Sequence, residues 1–136
     1  MPDAAGFIHP ENLLKAMRPD TILVSIMMAN NEIGTIQPIS DLAYIAHTNG
    51  CEGCLFHTDA VQAYGQIPID VKRLGVDLLS ASAHKIYGPK GIGLLYIRDG
   101  VTLTPLIFGG GQESGIRGGT ENAVSYTHLR AHETRH

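Results

Sequence analysis

The residues best suited to chemistry in this 136-residue chain lie in two short segments. Lys85 follows an apolar run and a turn of small and polar residues, and glycines and a proline come soon after it. Asp59 lies upstream, also at the end of an apolar run. A lysine amine can hold a carbonyl cofactor as a Schiff base, and a carboxylate can pair with the ring nitrogen of pyridoxal 5'-phosphate. The two residues therefore predict a site for that cofactor.

Polar residues follow each of three predicted strands, at the point where the strand ends. They carry amide, carboxylate, hydroxyl, imidazole and amine groups and occupy residues 29–34, 59–62 and 82–85. A lone lysine after a strand is usually a solvated surface residue, and a lone aspartate there is usually a helix N-cap. Ligands of α/β sheets bind beyond the carboxyl ends of the strands. Three such ends in succession therefore predict a binding site.

Strands alternate with helices along the chain. The helix-type spacing of apolar residues predicts helices over residues 10–17, with Pro10 at the start, and 40–47, with Ser40 as N-cap. The predicted strands cover residues 21–27, 55–58, 76–82 and 93–98. The first is a nearly continuous apolar run, which is typical of a strand buried on both faces. The last follows a short connection, which favours an antiparallel strand. This alternation predicts an α/β fold with a mainly parallel sheet and flanking helices.

Composition narrows the class of protein. The chain is 43 % apolar and 17 % charged with a net charge of −3, which is typical of a soluble globular domain. This charge does not favour a nucleic-acid or anionic-membrane partner. No apolar run is long enough to span a membrane, and the first residues lack the pattern of a signal peptide. We expect a cytoplasmic protein.

Cys51 and Cys54 are the only cysteines, and their spacing admits a zinc or redox site. Residues 49–54 are better interpreted as a Gly/Asn turn between a helix and a strand. A redox pair is expected at a helix N-terminus that lowers the thiol pKa, whereas Cys54 leads into a strand. His57, at the end of an element, is predicted to be packed and hydrogen-bonded rather than a ligand. Residues 88–93 lack the end of a P-loop and are predicted to form a turn.

Four motifs, taken together, resemble the cysteine desulfurases, which belong to the class V aminotransferase group of fold-type I pyridoxal-phosphate enzymes. They occur in the family's order and cover residues 30–34, 57–62, 82–93 and 109–122. The resemblance extends over roughly residues 6–123. It implies that the chain is the central part of the large domain of such an enzyme, truncated at both ends.

The resemblance assigns four residues to the cofactor ring. Lys85 is expected to form the Schiff base and to move protons between the substrate carbon and the cofactor. Asp59 is expected to keep the pyridinium nitrogen protonated, which makes the ring an electron sink. Gln62 is expected to hydrogen-bond the phenolic oxygen, and Asn31 to contact the same edge of the ring.

Three further residues are assigned to phosphate. Ser82 and His84 are expected to bind the cofactor phosphate, because hydroxyl and imidazolium groups are good donors to a hard anion. Thr120, in a glycine-rich turn, resembles the residue that reaches the phosphate of the partner subunit's cofactor. The resemblance therefore implies a homodimer in the full-length protein.

The implied reaction converts L-cysteine to L-alanine and leaves an enzyme persulfide, with a sulfur-acceptor or scaffold protein as partner and iron–sulfur clusters or thiolated tRNA as the destination. The alternatives are a selenocysteine lyase, another class V enzyme, or a non-catalytic cofactor-binding or dimerisation fragment. The family's nucleophilic cysteine loop and small domain have no counterpart here. We therefore expect the chain alone to be inactive, and its exposed strand edges predict poor stability.

Two regions follow from this interpretation. Residues 1–123 are predicted to be the partial class V large domain. Residues 124–136 are predicted to be a non-native tail that resembles translated adapter sequence. Its histidines His128, His132 and His136 recur at helical spacing and would mimic a metal site. No metal is expected to bind there.

Overall fold

The computed structural model describes residues 2–125 and residue 127. Its centre is a four-stranded sheet in the order β1-β2-β3-β4. The strands are β1 Leu23–Met27, β2 Leu55–Asp59, β3 Leu78–Ser82 and β4 Gly93–Ile97. The first three run parallel, and β4 pairs antiparallel with β3. The predicted mainly parallel α/β sheet with an antiparallel last strand is confirmed.

Three α-helices connect or flank the strands: α1 Pro10–Ala16, α2 Ile39–Asn49 and α3 Val71–Leu74. The first begins at Pro10, as expected from the fixed φ of proline. The N-cap of α2 is Pro38, and the predicted N-cap at Ser40 is wrong. The carbonyl of Pro38 already accepts the N–H groups of Asp41 and Leu42, so the helix begins before Ser40. The short helix α3, with Asp70 as N-cap, was not predicted.

The core lies between α2 and one face of the sheet. Leu42, Ala46, Phe56 and Leu79 are almost completely buried there. On the opposite face Leu23 remains 48 % exposed, so the prediction that β1 is buried on both faces is wrong. The cause is that α2 contacts β1 and β2 on one side only, which leaves alternate residues of β1 uncovered.

Asp77, which the sequence patterns did not single out, contacts residues of several elements of the fold. Asp77 precedes β3 and is completely buried. Its Oδ2 accepts the N–H of Phe56 at 2.6 Å and lies 2.7 Å from Nε2 of His47 on α2. Its Oδ1 forms an ion pair at 2.6 Å with Arg98, which follows β4. The only sequence signal was a charged residue at the start of an apolar run.

The two cysteines lie in the predicted turn, although α2 continues to Asn49 and shortens it. Cys54 is buried and leads into β2, as expected. Within the described residues, no helix has the length and apolar character needed to cross a membrane. The tail histidines His128, His132 and His136 lie outside the described residues.

Candidate active site at the carboxyl ends of the parallel strands

The three parallel strands end side by side. Met27 pairs with Asp59, and Asp59 pairs in turn with Ser80 of β3. The polar segments that follow these strands therefore start from one edge of the sheet. This places Asn31, Asp59, Gln62, Ser82, His84 and Lys85 after neighbouring strand ends.

Lys85 ends a short 3-10 helix, Ala83–Lys85, that follows β3 directly. The residue is exposed, and its amine has no hydrogen-bond or ion-pair partner among the described residues. Two residues later, Tyr87 adopts a φ of +63°, a conformation that is costly for a bulky side chain. Such strain persists where the surrounding structure enforces it, and it is concentrated at functional sites.

Asp59 is half-buried at the end of β2. Its Oδ1 accepts the N–H of Val61 at 2.9 Å, which starts the turn after the strand. Its Oδ2 has no partner within the described part of the chain. The carboxylate is therefore oriented through one oxygen and can accept a further N–H through the other. This is the arrangement that a protonated ring nitrogen requires.

The two asparagines after β1 have different environments. The side chain of Asn30 accepts the N–H groups of Glu32 and Ile33, so it shapes the loop. Asn31 is exposed at the tip of that loop, and its amide has no partner among the residues described. Of the two, Asn31 is the one whose side chain can contact a ligand.

Ser82 and His84 are the only pair of predicted site residues joined by a hydrogen bond in the described chain. The Oγ of Ser82 lies 2.6 Å from Nδ1 of His84. A hydroxyl and an imidazole in contact, with His84 exposed, form a small donor cluster at the end of β3. Both groups can turn their hydrogens toward an anion.

The remaining two predicted residues are placed differently. Gln62 is half-buried in the turn after β2, close in sequence to Asp59. Thr120 is exposed, and its neighbours Gly118 and Gly119 are hydrogen-bonded to Ile107 and Gln112. Among the described residues, no hydrogen bond joins Thr120 to any of the other six.

His57 is packed and hydrogen-bonded, as predicted. Its Nδ1 lies 2.7 Å from the Oγ of Ser25, and its Nε2 lies 3.2 Å from the Oγ of Ser80. Burial lowers the pKa of His57, and the charge of Asp59 opposes this shift. The ring is therefore neutral at pH 7 and links three strands just below the site.

The structure also bears on other kinds of site. Among the described residues, no group of three or more His, Cys, Asp or Glu side chains could hold a metal ion. A groove of about 510 Å³ is lined by Tyr64, Leu94 and Tyr96 among others. None of the predicted site residues lines it. The strand ends are the stronger candidate, because carboxylate, amine, hydroxyl and imidazole groups follow neighbouring strands there.

The mixed sheet with polar residues at the ends of its parallel strands is an α/β domain with a candidate ligand site. A family model described as Aminotransferase class-V matches residues 1–132, and the chain belongs to this family. Within it, the chain is 61 % identical over 122 residues to cysteine desulfurase IscS of Dictyoglomus turgidum, covering 90 % of this chain and 30 % of that protein. It is 56 % identical over 120 residues to the mitochondrial cysteine desulfurase of Saccharomyces cerevisiae, covering 87 % of this chain and 24 % of that protein.

Solved structures agree with these relatives. A structure described as SspA in complex with cysteine superposes with a TM-score of 0.90 at 46 % identity, covering 98 % of this chain and 38 % of that one. A NifS-like protein gives a TM-score of 0.89 at 50 % identity and covers 97 % and 36 %. The chain is therefore similar to cysteine desulfurases, a family of enzymes, and spans only about a third of their length.

The residues at the strand ends fit pyridoxal 5'-phosphate. Lys85 offers a free amine, Asp59 a free carboxylate oxygen, and Ser82 with His84 a pair of anion donors. These are the three kinds of group that an aldehyde, a ring nitrogen and a phosphate require. The unpaired state of Lys85 and of Asp59 Oδ2 is what a ligand-binding site would leave.

Proposed function

We propose that this chain forms the pyridoxal 5'-phosphate site of a cysteine desulfurase. The observation that carries the proposal is the unpartnered amine of Lys85 beside the strand end that presents Asp59. When bound, the cofactor supplies an electron sink for a carbanion at the substrate carbon. The desulfurase assignment is supported by the relatives of 50–61 % identity.

Each residue has a role that follows from its environment. Lys85 Nζ would hold the cofactor carbonyl, and its amine would move a proton at the substrate carbon. Asp59 Oδ2 accepts the ring N–H and keeps that nitrogen protonated. Gln62 would donate an amide N–H to the phenolic oxygen, and Asn31 would contact the same edge of the ring.

The phosphate-binding roles follow the same reasoning. Ser82 and His84 donate to the phosphate, and their mutual hydrogen bond orients both groups before the anion arrives. Thr120 is exposed and would contribute to the site of a partner subunit. The whole enzyme would then be a homodimer that takes L-cysteine as substrate and passes sulfur to an acceptor protein.

Cofactor binding by the chain is tested with absorbance spectroscopy. We expect a visible band when pyridoxal 5'-phosphate is added, and borohydride reduction should fix the cofactor on the peptide containing Lys85. Lys85→Ala should abolish both signals. Lys90→Ala is the matched control, since Lys90 is an exposed lysine of the same turn. Labelling that is equal in both variants would contradict the proposal.

A measurement of sulfur release distinguishes cofactor binding from catalysis. Cys51 and Cys54 lie at the amino end of β2, and five residues of extended strand put Cys54 roughly 16 Å from Asp59. This distance favours a second candidate for the chain itself, a cofactor-binding piece that does not desulfurate. We expect no alanine and no sulfide from L-cysteine with the loaded chain. Measurable turnover would contradict that expectation.

A further inference from the structure

The turn that joins α2 to β2 brings the two cysteines together. The N–H of Cys54 donates to the carbonyl of Cys51 at 3.0 Å, which closes a four-residue reverse turn. Gly53, at the third position, has a φ of +78°, as a type II turn requires. The α-carbons at the ends of such a turn are less than about 7 Å apart. Disulfides span about 4.4–6.8 Å between α-carbons.

Two further contacts hold this geometry. The N–H of Cys51 donates to Thr21 and the N–H of Leu55 donates to Ile22, both at 3.0 Å, so the two ends of the turn are fixed to the chain before β1. The Cys54 thiol is folded back toward the start of the turn. A Cβ added to Gly50 would lie only 2.6 Å from Cys54 Sγ, so the sulfur rests against the residue that precedes Cys51.

We propose that Cys51 and Cys54 form a reversible intrachain disulfide for which the folded turn is pre-organised. Cys51 is partly exposed and Cys54 is buried, so the two thiols have distinct roles. The Cys51 thiolate attacks a small-molecule disulfide such as oxidised glutathione, whose S–S bond breaks to release one thiolate. The Cys54 thiolate then attacks the Cys51 sulfur and releases the second. Two protein thiols are oxidised, one disulfide is reduced to two thiols, and the two thiol protons pass to the released thiolates.

The electrostatics agree with this order of attack. Burial, the neighbouring Cys51 and the charge of Asp77 raise the pKa of Cys54. Cys54 is therefore the poorer first nucleophile. A disulfide carries no charge, so its formation also removes the repulsion that a Cys54 thiolate would experience from the buried Asp77. The sequence argument against a fast exchange catalyst still applies, because Cys54 leads into a strand and the pair does not lie at a helix N-terminus.

The test measures the equilibrium with glutathione by intact mass and peptide mapping. We expect the equilibrium constant for forming the intrachain disulfide to be at least about tenfold larger in native buffer than in concentrated urea. For a two-electron couple, a tenfold change corresponds to about 30 mV. An equal or smaller constant in native buffer would overturn the proposal, because the turn would then contribute nothing.

Two variants check the roles of the thiols. Cys54→Ser should trap the glutathione adduct on Cys51, whereas Cys51→Ser should react more slowly because only the buried thiol remains. A wild-type chain that accumulates the mixed disulfide or an intermolecular dimer would also overturn the proposal. The measurement needs no pyridoxal 5'-phosphate, so it stands or falls independently of the proposed function.

Discussion

An aspartate lies at each end of the sheet, and the two carboxylates differ in burial and in their partners. At the amino end, Asp77 is fully buried, its Oδ2 is held by Phe56 and His47, and its Oδ1 is ion-paired with Arg98 but makes no hydrogen bond. At the carboxyl end, Asp59 is half-buried and one oxygen is free. A buried charge is tolerated only when it is paired and hydrogen-bonded. A carboxylate that is buried among paired partners thus stabilises the fold, whereas a half-buried one with a free oxygen at a strand end is available to a ligand.

The largest loss of stability is expected for a substitution of Asp77, at the amino end of the sheet. Asp77→Ala should lower the free energy of unfolding by about 3 kcal/mol, because it leaves the buried N–H of Phe56 without an acceptor and removes both charged contacts. Urea denaturation followed by circular dichroism measures this. Asp59→Ala is the matched control and should cost less than about 1 kcal/mol, the value of one N–H bond in a turn. Similar losses in the two variants would break the comparison.

The same two substitutions should have the reverse order of effect on cofactor affinity. Asp59→Ala should weaken pyridoxal 5'-phosphate binding roughly tenfold to a hundredfold, which is the worth of a charge-assisted hydrogen bond. A titration of the visible band gives the affinity. Asp77→Ala, studied at a temperature where it is folded, should retain the wild-type affinity. Loss of binding in the Asp77→Ala variant alone would show that the buried Asp77 also contributes to cofactor affinity.

A smaller loss of stability is expected when one of the side-chain partners of Asp77 is removed. Arg98→Ala should cost about 1–2 kcal/mol, less than Asp77→Ala, because the guanidinium side chain is 54 % exposed and water can replace it beside the buried carboxylate. His47→Ala should cost slightly more, since its side chain is only 31 % exposed. Denaturation of the two single variants and the double variant measures their coupling. A loss for Arg98→Ala as large as that for Asp77→Ala would mean that the ion pair, and not the Phe56 hydrogen bond, dominates.

The smallest effect concerns pH. Burial places the pKa of His57 below 6.5 in the folded chain, so the unfolded chain binds the proton more readily. Its contribution to stability is complete above pH 6.5 and is lost as pH falls through the lower folded value. The effect is small because the ring is partly exposed and the charge of Asp59 opposes the shift. Stability curves of wild type and His57→Gln should converge as pH falls, and parallel curves would refute the assignment.

Much of the fold could be predicted because its signals are local. The apolar runs indicated all four strands, Pro10 marked the start of a helix, and the short connection after Lys85 favoured an antiparallel last strand. The errors arose where the answer depended on distant neighbours. The exposure of Leu23 depends on which face α2 covers, and the true start of α2 depends on how the chain leaves Pro38.

Residue type and order specify which groups follow the strand ends, because a parallel sheet sends every strand's carboxyl end to one edge. Lys85, Asp59, Ser82 and His84 were therefore identifiable from the amino-acid sequence. Which of these groups have hydrogen-bond partners depends on the folded chain. The partners of Asp77 lie 21 to 30 residues away in His47 and Phe56, and no local pattern records such contacts. Residue type and spacing thus determine what chemistry is present, and long-range packing decides whether a group is consumed by the fold or left for a ligand.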